Sequence, residues 1–383
     1  MLRIAVLGAF PFPVPQGSQV YAAEQARALL RAGALPTLIC YGRGRGPDPA
    51  DLDVLRASRA LSPRRLRAGP SPLKPFADLS LLAALVRAHR RRRFDVVIAH
   101  NAEAALVALA ARARLRLPVV YAAHTLLARE LPSYAPRSVA GPLSRIGAAL
   151  DARLARRADA VLALSAAGAA ALEPHARGRV AVIPPGLEPA PAPSADAIAQ
   201  TCERHRLVVG GYAVYAGNLD GYQNLETLAR AAARLTDVTV VVATHARAAV
   251  PLAPLRVLRV RDLAEMRALV HGAGVAVLAR RIAGGFPIKL LNYMEAGRAI
   301  VAYASVADTL EHDRSAWLLP DAADDAAMAR AIETLARDPH RAARLGEGAR
   351  AVLASQHAWP ALAARTLRLV EHARAPRSAR AGR

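Results

Sequence analysis

The sequence between residues 274 and 303 constrains the fold most, because it contains a short apolar run, a glycine loop, a helical stretch and a second apolar run, in that order. Gly284 and Gly285 allow the backbone to turn tightly after the first run. Pro287 favours the first turn of a helix, and Gly297 favours its end. We therefore expect a strand, loop, helix and strand, which is the repeating unit of a parallel α/β sheet.

The helix of this unit has a predicted ligand-facing side. Lys289, Asn292, Tyr293 and Ala296 recur at helical spacing and so share one face, whereas the leucines lie on the other. A helix N-terminus also offers unpaired amide donors and the positive end of the helix dipole, which favour a phosphate. The pattern predicts a phosphate site, but a helix with a purely structural role in an α/β protein has the same pattern.

Residues 285–301 resemble the donor-binding segment of the retaining GT-B glycosyltransferases of family 4, which often contains proline, lysine, two leucines, an acidic residue, tyrosine, methionine, alanine and glycine. The resemblance implies an α/β GT-B fold, with two Rossmann-like domains facing each other across a donor-binding cleft. It also implies a retaining, metal-independent transfer of a hexosyl-type sugar from a nucleotide-sugar donor to a glycan or lipid-linked acceptor, in bacterial cell-surface or exopolysaccharide biosynthesis. The nucleotide-sugar is a substrate, and no cofactor is implied.

The chain length of 383 residues exceeds what one hydrophobic core normally serves, so we expect two α/β domains. The alternating prolines at the start of the second half are typical of an extended linker. The predicted divisions are an N-terminal acceptor domain at 1–188, a C-terminal donor domain at 189–365, and the end of a terminal helix with a basic tail at 366–383.

The composition favours a cytoplasmic protein. Hydrophobic residues make up 54% of the chain. Arginine or proline nevertheless interrupts every apolar run before it reaches the length of about 18 residues that a membrane span requires. The N-terminal strand is followed too quickly by Pro11 to be a signal peptide, and Cys40 and Cys202 lack a disulfide or zinc-site spacing. The formal charge of +22 indicates anionic partners, including the inner face of the membrane, unless it reflects only an arginine-rich composition.

Two predicted strands each end in a histidine. One strand, 94–100, ends at His100 and is followed by Asn101, and the other, 118–124, ends at His124. Ligands of open parallel sheets bind beyond the carboxyl ends of the strands, so both histidines are candidates for function as well as for structure. The resemblance implies that such histidines line the acceptor and sugar side of the site. Glu130, in the segment that follows, is a candidate contact for substrate hydroxyls.

The match to the family is incomplete at four positions. Family members commonly have two glutamates at the positions of Gly284 and Asn292, and the second of them binds the donor ribose. They also have an arginine and a lysine on the diphosphate, where this chain has Asn218 and Gln223. Other cations must therefore stabilise the diphosphate if the chain is a transferase.

The predicted site residues form three groups. The catalytic candidates supply charge to the diphosphate or orient the sugar, and they are His124, Lys289 and Arg281. The donor-binding candidates are Gly17, Ser18, Gly217, Asn218, Arg280, Gly284, Gly285, Phe286, Pro287, Ile288 and Asn292, and the acceptor-side candidates are His100, Asn101 and Glu130. No metal site is expected, because the D-x-D spacing at Asp51 and Asp53 lies in a predicted loop or helix start.

Two other functions stay open at this point. A GT-B protein that has lost catalysis and acts as a binding or assembly partner would account for the four departures from the family pattern. The charge alone would suit a nucleic-acid-binding protein, but only 4% of the residues are aromatic and no nucleic-acid module is recognisable. We therefore expect no specific nucleic-acid partner.

Overall fold

A computed structural model describes residues 1–14, 16–62, 73–188, 190–246, 252–282 and 284–375, without the side chain of Arg137. These residues form two compact units. Unit 1 contains residues 1–188, 284–286 and 358–375, and unit 2 contains residues 190–282 and 287–357. The part of the predicted basic tail from residue 376 onward lies outside the described residues, as do the basic residues Arg64 and Arg65 of the N-terminal domain.

Unit 1 is built on a parallel sheet of seven strands: β1 (Arg3–Gly8), β2 (Leu35–Cys40), β3 (Val54–Arg56), β4 (Val96–His100), β5 (Val119–Ala123), β6 (Ala160–Ala163) and β7 (Arg179–Val182). Their order is β3-β2-β1-β4-β5-β6-β7. The central strands are nearly continuous apolar runs, as expected for a sheet that helices cover on both faces. The order reverses between β1 and β4, where Gly8 pairs with His100, and such a reversal forms a ligand crevice in open α/β sheets.

The helices that follow these strands are α1 (Gly17–Arg31), α2 (Lys74–Arg92), α3 (Asn101–Leu115), α4 (Leu127–Glu130), α5 (Ala140–Arg157) and α6 (Ala166–Leu172), with 3-10 turns at Leu131–Tyr134, Arg137–Val139 and Glu173–His175. The serine hydroxyl of Ser165 accepts the amide of Gly168 and so caps α6, as its position before the apolar run predicts. Helix α1 begins directly after the first loop and places Gly17 and Ser18 at its N-terminus.

Unit 2 repeats this plan with a parallel sheet of six strands: β8 (Tyr212–Ala216), β9 (Thr239–Thr244), β10 (Arg256–Arg259), β11 (Val275–Leu278), β12 (Ala299–Tyr303) and β13 (Trp317–Leu319). The strand order is β10-β9-β8-β11-β12-β13, so it reverses between β8 and β11. Its helices are α7 (Ala195–Arg204), α8 (Leu225–Ala232), α9 (Leu263–Gly272), α10 (Lys289–Ala296), α11 (Asp325–Arg337) and α12 (Pro339–Gln356), with 3-10 turns at Gly221–Gln223 and Ala304–Val306.

The last described helix, α13 (Trp359–Arg374), packs against α1 and belongs to unit 1. The side chain of Arg374 forms an ion pair with Asp95, 3.6 Å away, and the ring of Trp359 stacks on Tyr21. The end of the chain thereby completes the unit that the beginning of the chain forms. Among the described residues, no helix combines the length and the apolar character that crossing a membrane requires.

The α/β fold predicted from the sequence is confirmed, and so is the unit from β11 to β12, with Gly297 at φ 61° ending α10. Two strands were not predicted. One is β3, a three-residue edge strand that pairs with β2 and begins directly after Asp53, where a loop or helix start was expected. Strand β13 is likewise a three-residue edge strand that pairs with β12.

Candidate active site

Three polar side chains of unit 1 form a chain of hydrogen bonds at the carboxyl ends of β4 and β5. His100 ends β4, and its Nδ1 lies 2.8 Å from Nε2 of His124, which follows β5. Nδ1 of His124 lies 3.1 Å from the hydroxyl of Ser18 at the start of α1. The structure thus brings together three of the predicted site residues from three elements of the chain.

Both imidazoles are neutral because burial disfavours their charged forms. Burial lowers the pKa of His124 to about 3. Burial, followed by repulsion from His124, lowers the pKa of His100 well below its ordinary value. A neutral imidazole has one donor and one acceptor nitrogen, so the contact between the rings needs a donor on one side and an acceptor on the other. Both nitrogens of His124 have hydrogen-bond partners, His100 and Ser18. Of these three side chains, Ser18 is the most exposed to solvent.

An aromatic contact that the sequence did not predict holds the two histidines. The ring of Tyr21, on α1, meets His100 and His124 edge-on, with centroid distances of 5.5 and 5.1 Å. Trp359 stacks on Tyr21 at 6.1 Å, and the amide of Gln25 donates to the Tyr21 hydroxyl at 2.9 Å. Nothing in the sequence linked Tyr21 to Trp359, which lies more than 300 residues later in the chain.

The other two acceptor-side candidates, Asn101 and Glu130, follow the histidines in the sequence. The carboxylate of Glu130 accepts the hydroxyl hydrogens of Thr125 and of Tyr134, the latter at 2.9 Å. Asn101 is the first residue of α3 and has a left-handed backbone, with φ 73°. Asp151, which the sequence did not single out, accepts the backbone amides of Leu127 and Ala128 and so fixes the start of α4. The segment after β5 is therefore held by two carboxylates.

In unit 2 the predicted donor residues meet at the turn that follows β8. Gly217 has φ 149°, and a Cβ atom at this position would lie 2.7 Å from Nζ of Lys289. The Lys289 amine donates to the hydroxyl of Tyr215 at 2.5 Å and to Oε1 of Gln223 at 2.9 Å. The Gln223 amide in turn donates to Oδ1 of Asn218 at 2.8 Å. The structure brings Lys289 to Gln223, one of the two positions where the family's diphosphate cations are missing, and Gln223 connects it to Asn218, the other.

The two arginines after β11 have different surroundings. Arg280 is buried, its guanidinium lies 5.5 Å from the ring centre of Tyr222, and its Nε donates to the carbonyl of Ile282. Arg281 instead lies over the ring of Tyr303, 4.5 Å from its centre, and donates to the Ala323 carbonyl. Arg280 shares the Tyr222 loop with Asn218, whereas the contacts of Arg281 are with β12 and the segment before α11.

The predicted ligand-facing side of α10 is narrower than expected. Asn292 is exposed and Lys289 is half-buried, but Tyr293 and Ala296 are fully buried. The hydroxyl of Tyr293 accepts the backbone amide of Ala216 at 2.8 Å, which ties α10 to the end of β8. The expectation that Tyr293 and Ala296 face a ligand is therefore wrong, because this helix packs along both sides.

Residues 284–286 group with unit 1, whereas Pro287 and Ile288 precede α10 in unit 2. Gly284 has φ 88°, and a Cβ atom on it would lie 2.8 Å from Leu126 Cδ1. A Cβ atom on Gly285 would lie 2.5 Å from the carbonyl oxygen of His124. Both positions therefore require glycine. The described residues contain no group of three or more His, Cys, Asp or Glu side chains that could hold a metal ion.

Two family models match the chain. The model of Glycosyltransferase Family 4 matches residues 15–191, and the model of Glycosyl transferases group 1 matches residues 210–338. D-inositol 3-phosphate glycosyltransferase from Xylanimonas cellulosilytica is 27% identical, over 99% of this chain and 98% of that protein.

The fold is similar to that of solved glycosyltransferase structures. Sucrose-phosphate synthase from Thermosynechococcus elongatus has a TM-score of 0.79 at 18% identity and covers 97% of this chain and 98% of its own. Anabaena HepE in complex with UDP-glucose has a TM-score of 0.70 at 18% identity, over 96% of this chain and 100% of its own. The chain is thus a glycosyltransferase with the GT-B fold and belongs to family 4, the group 1 glycosyltransferases.

Proposed function

We propose that the protein transfers a sugar from a nucleoside diphosphate sugar to a hydroxyl of a glycan or lipid-linked acceptor. The observation that carries the proposal is the Lys289 amine beside the Gly217 turn, at the carboxyl edge of the unit 2 sheet. Ligands of open α/β sheets bind at this edge, and Arg280 follows the neighbouring strand. HepE, which has the same fold, is known in complex with UDP-glucose, and this supports the donor class.

The donor side of the site suits a leaving diphosphate. In the proposed reaction, the bond between the anomeric carbon and the diphosphate oxygen breaks, and the electron pair stays on that oxygen. Negative charge therefore grows on the diphosphate in the transition state, and fixed cations close to it lower the barrier. Lys289 and Arg280 are the proposed cations. Because protein cations take this part, the proposed transfer is independent of a metal.

The acceptor hydroxyl completes the reaction in the proposed course. Its oxygen forms the new bond to the anomeric carbon on the face that the diphosphate leaves, and its proton passes to an oxygen of the leaving phosphate. This course retains the anomeric configuration, and membership of family 4 supports it. Proton NMR of the first product formed distinguishes retention from inversion.

The polar residues at the strand ends of unit 1 suit neutral hydroxyls. The Ser18 hydroxyl and the Asn101 amide are half-buried at the carboxyl ends of the strands, and His124 is held between Ser18 and His100. Neutral groups of fixed orientation exchange hydrogen bonds with sugar hydroxyls without the desolvation penalty of a charge. We assign His124 to positioning the sugar or the acceptor, and Glu130 to shaping the acceptor loop through Thr125 and Tyr134.

A phosphorylated small acceptor is a second candidate. The relative that is 27% identical is named for inositol 3-phosphate, and the net charge of +22 would favour an anionic acceptor. Assays with one donor and either inositol 3-phosphate or a lipid-linked glycan separate the two candidates. A product with only one acceptor class decides between them.

The proposed role is in bacterial surface-polysaccharide biosynthesis, where acceptors can be linked to lipid. Peripheral contact of the protein with the inner face of the membrane would bring it to such an acceptor. Arg90, Arg91 and Arg93 are exposed at the end of α2, and each cation near an anionic surface contributes about 1 kcal/mol. Flotation with liposomes that contain anionic lipid tests this contact. Protein that stays at the bottom of the gradient at low salt would contradict it.

Thermal stability against a panel of nucleoside diphosphates and their sugars tests the transferase proposal. A ligand at about 100 times its dissociation constant stabilises the fold by about 2.7 kcal/mol. We expect a clear rise in Tm with one nucleotide class, and release of that nucleotide from its sugar when an acceptor is added. A rise in Tm without any turnover, across all acceptors tried, would favour the non-catalytic GT-B protein instead.

A further inference from the structure

Lysine is rare in this chain, which makes its position at residue 289 informative. The chain has 52 basic residues of the lysine and arginine types, and only Lys74 and Lys289 are lysines. Lys74 forms an ordinary ion pair with Glu103, with Nζ and Oε1 separated by 2.9 Å. Arginine remains charged in proteins, whereas the amine of lysine loses its proton readily when it is removed from water. The exception at residue 289 points to a role for an amine that can change its charge.

The partners of Lys289 are neutral. Its Nζ donates to the hydroxyl of Tyr215 and to the side-chain carbonyl of Gln223, and it lies 4.0 Å from the ring centre of Tyr215. Within the described ranges, no carboxylate forms an ion pair with it. The Tyr215 hydroxyl already donates to the Asn218 carbonyl at 2.7 Å, so it offers Lys289 an acceptor and no charge.

The charged groups around Lys289 come from two loops and oppose one another. Arg280, which follows β11, disfavours a second positive charge, whereas Asp220, in the loop after β8, favours it. Asp220 is exposed, and its carboxylate accepts the Asn218 amide at 2.5 Å. Burial, followed by Arg280, lowers the pKa of Lys289 well below its ordinary value, and Asp220 offsets only part of this effect. The tyrosines that line the same loop, Tyr215 and Tyr222, stay protonated because burial raises the pKa of each.

We propose that the amine of Lys289 is uncharged in the ligand-free protein and takes up a proton when a nucleoside diphosphate binds. The inference rests on the proposed function, because it names the diphosphate as the ligand of this site. A diphosphate brings negative charge beside a half-buried amine that has no ionic partner, and this favours the ammonium form. Lys289 then serves as a cation of the bound complex without presenting an unpaired charge in its absence. A permanent arginine at this position would stay desolvated and charged beside Arg280.

The protein is well suited to a direct test, because Lys74 and Lys289 are the only lysines in the sequence. Reductive methylation with carbon-13 gives each amine its own NMR signal, and the variants Lys289→Arg and Lys74→Arg assign the two lysines. We expect the Lys289 signal to titrate well below the pKa of about 10.4 of a free lysine. Saturation with UDP should raise its titration midpoint by on the order of one pH unit or more.

Calorimetry of the unmodified protein measures the same proton. The heat of UDP binding at pH 8 is compared between buffers that differ in ionisation enthalpy, because the difference reports the protons taken up. We expect on the order of half to one proton for each nucleotide bound by the wild type and by Lys74→Arg. Lys289→Arg should bind UDP with proton uptake close to zero.

The outcomes separate this inference from the proposed function. A Lys289 signal that shows an ammonium at neutral pH in the ligand-free protein overturns the inference, whether or not a nucleotide binds. UDP binding with equal proton uptake in the wild type and in Lys289→Arg also overturns it, while the donor site itself stands. If no nucleoside diphosphate binds to the wild type, both the proposed function and the inference fail.

Discussion

At the carboxyl ends of β4 and β5, unit 1 presents imidazoles that burial keeps neutral, whereas unit 2 presents an amine and a guanidinium at the ends of β8 and β11. The strand order reverses at the corresponding place in both sheets, so the same topology supports two kinds of chemistry. Neutral groups of fixed orientation suit hydroxyls, and cations suit a diphosphate. In the proposed reaction, unit 1 therefore positions the sugar and acceptor, and unit 2 stabilises the leaving group.

The largest effect is expected from removing the cation of unit 2. Lys289→Ala should lower kcat/KM by on the order of 100- to 1,000-fold, because a fixed group that stabilises growing charge in the transition state is lost. The Tm should change little, since the amine is half-buried and makes only neutral hydrogen bonds. Steady-state kinetics and a thermal melt measure both, with Lys74→Ala as the matched lysine control.

A second substitution sharpens this test. The side chains of Lys289 and Gln223 meet at 2.9 Å, so a lysine at 223 can deliver its amine to nearly the same place. We expect Gln223→Lys to restore at least about tenfold of the activity that Lys289→Ala loses. No recovery, with both variants folded, would mean that Lys289 acts through something other than its charge.

The stability of unit 1 should depend on pH because of its two buried histidines. His100 and His124 have folded pKa values below that of an unfolded histidine, so below about pH 6.5 the unfolded chain binds protons that the native protein does not. The free energy of unfolding should then fall as the pH drops from about 6.5 towards 3, by about 1.4 kcal/mol per pH unit for each neutral histidine. Urea unfolding at pH 7 and at pH 5.5 measures this loss.

The variant His124→Asn assigns that pH dependence. Asparagine does not titrate, so the variant should be less stable than the wild type at pH 7 but should lose less stability on acidification. Between pH 7 and pH 5.5 an unfolded glutamate, with a pKa of about 4.3, binds few protons, so the lowered pKa of Glu265 contributes little to this comparison. Equal losses in the wild type and in His124→Asn would show that the histidine is not the group that titrates.

The turn after β8 gives a third and smaller effect. Gly217→Ala places an L-residue at φ 149° and a Cβ atom 2.7 Å from Nζ of Lys289. We expect a loss of about 1–2 kcal/mol in stability from backbone strain, and a roughly tenfold loss of activity as the amine moves aside. Gly221→Ala is the control in the same loop, since its Cβ atom would meet nothing within 4 Å. Equal effects of both variants would contradict a specific role for Gly217.

The sequence predicted the elements that continuous apolar runs specify. The strands that end in His100 and His124, and the unit around α10, are read from such runs because buried parallel strands must be apolar throughout. The short edge strand β3 escaped prediction because Val54, Leu55 and Arg56 are only half-buried and show no such run. The helical periodicity placed Tyr293 on the ligand-facing side of α10. It could not reveal that the Tyr293 hydroxyl accepts a hydrogen bond from the backbone amide of Ala216.

The sequence predicted which residue types form the candidate site, but it did not predict which side chains contact one another. A histidine at a strand end and a lysine in a helix are visible along the chain, but their partners come from distant segments, such as Ser18 for His124. The presence of Lys289 beside Gln223 depends on the packing of α10 against β8, which no local pattern encodes. Sequence reasoning named Asn218 and Gln223 as departures from the family pattern, but it did not reveal that Lys289 donates to Gln223.

The smallest effect is expected where unit 1 depends on packing alone. Trp359 is buried and stacks on Tyr21, and its indole Nε1 has no hydrogen-bond partner within the described part of the chain. Trp359→Phe keeps an aromatic ring on Tyr21 and removes the unpartnered donor, whose desolvation costs about 1–3 kcal/mol. The cavity left by the smaller ring acts in the opposite direction, so we expect a net change within about 1 kcal/mol.

Trp359→Ala should have a larger effect, because it leaves a cavity against Tyr21 and should lower the stability by about 3–5 kcal/mol. Urea unfolding of the two variants at pH 7 separates ring packing from the indole hydrogen bond. A loss above about 2 kcal/mol in Trp359→Phe would mean that the indole has a partner, such as a bound water, that packing cannot replace. Near-neutral Trp359→Phe with unchanged activity would mean that any aromatic ring at this position supports Tyr21, whereas the amine of unit 2 depends on its hydrogen-bond partners.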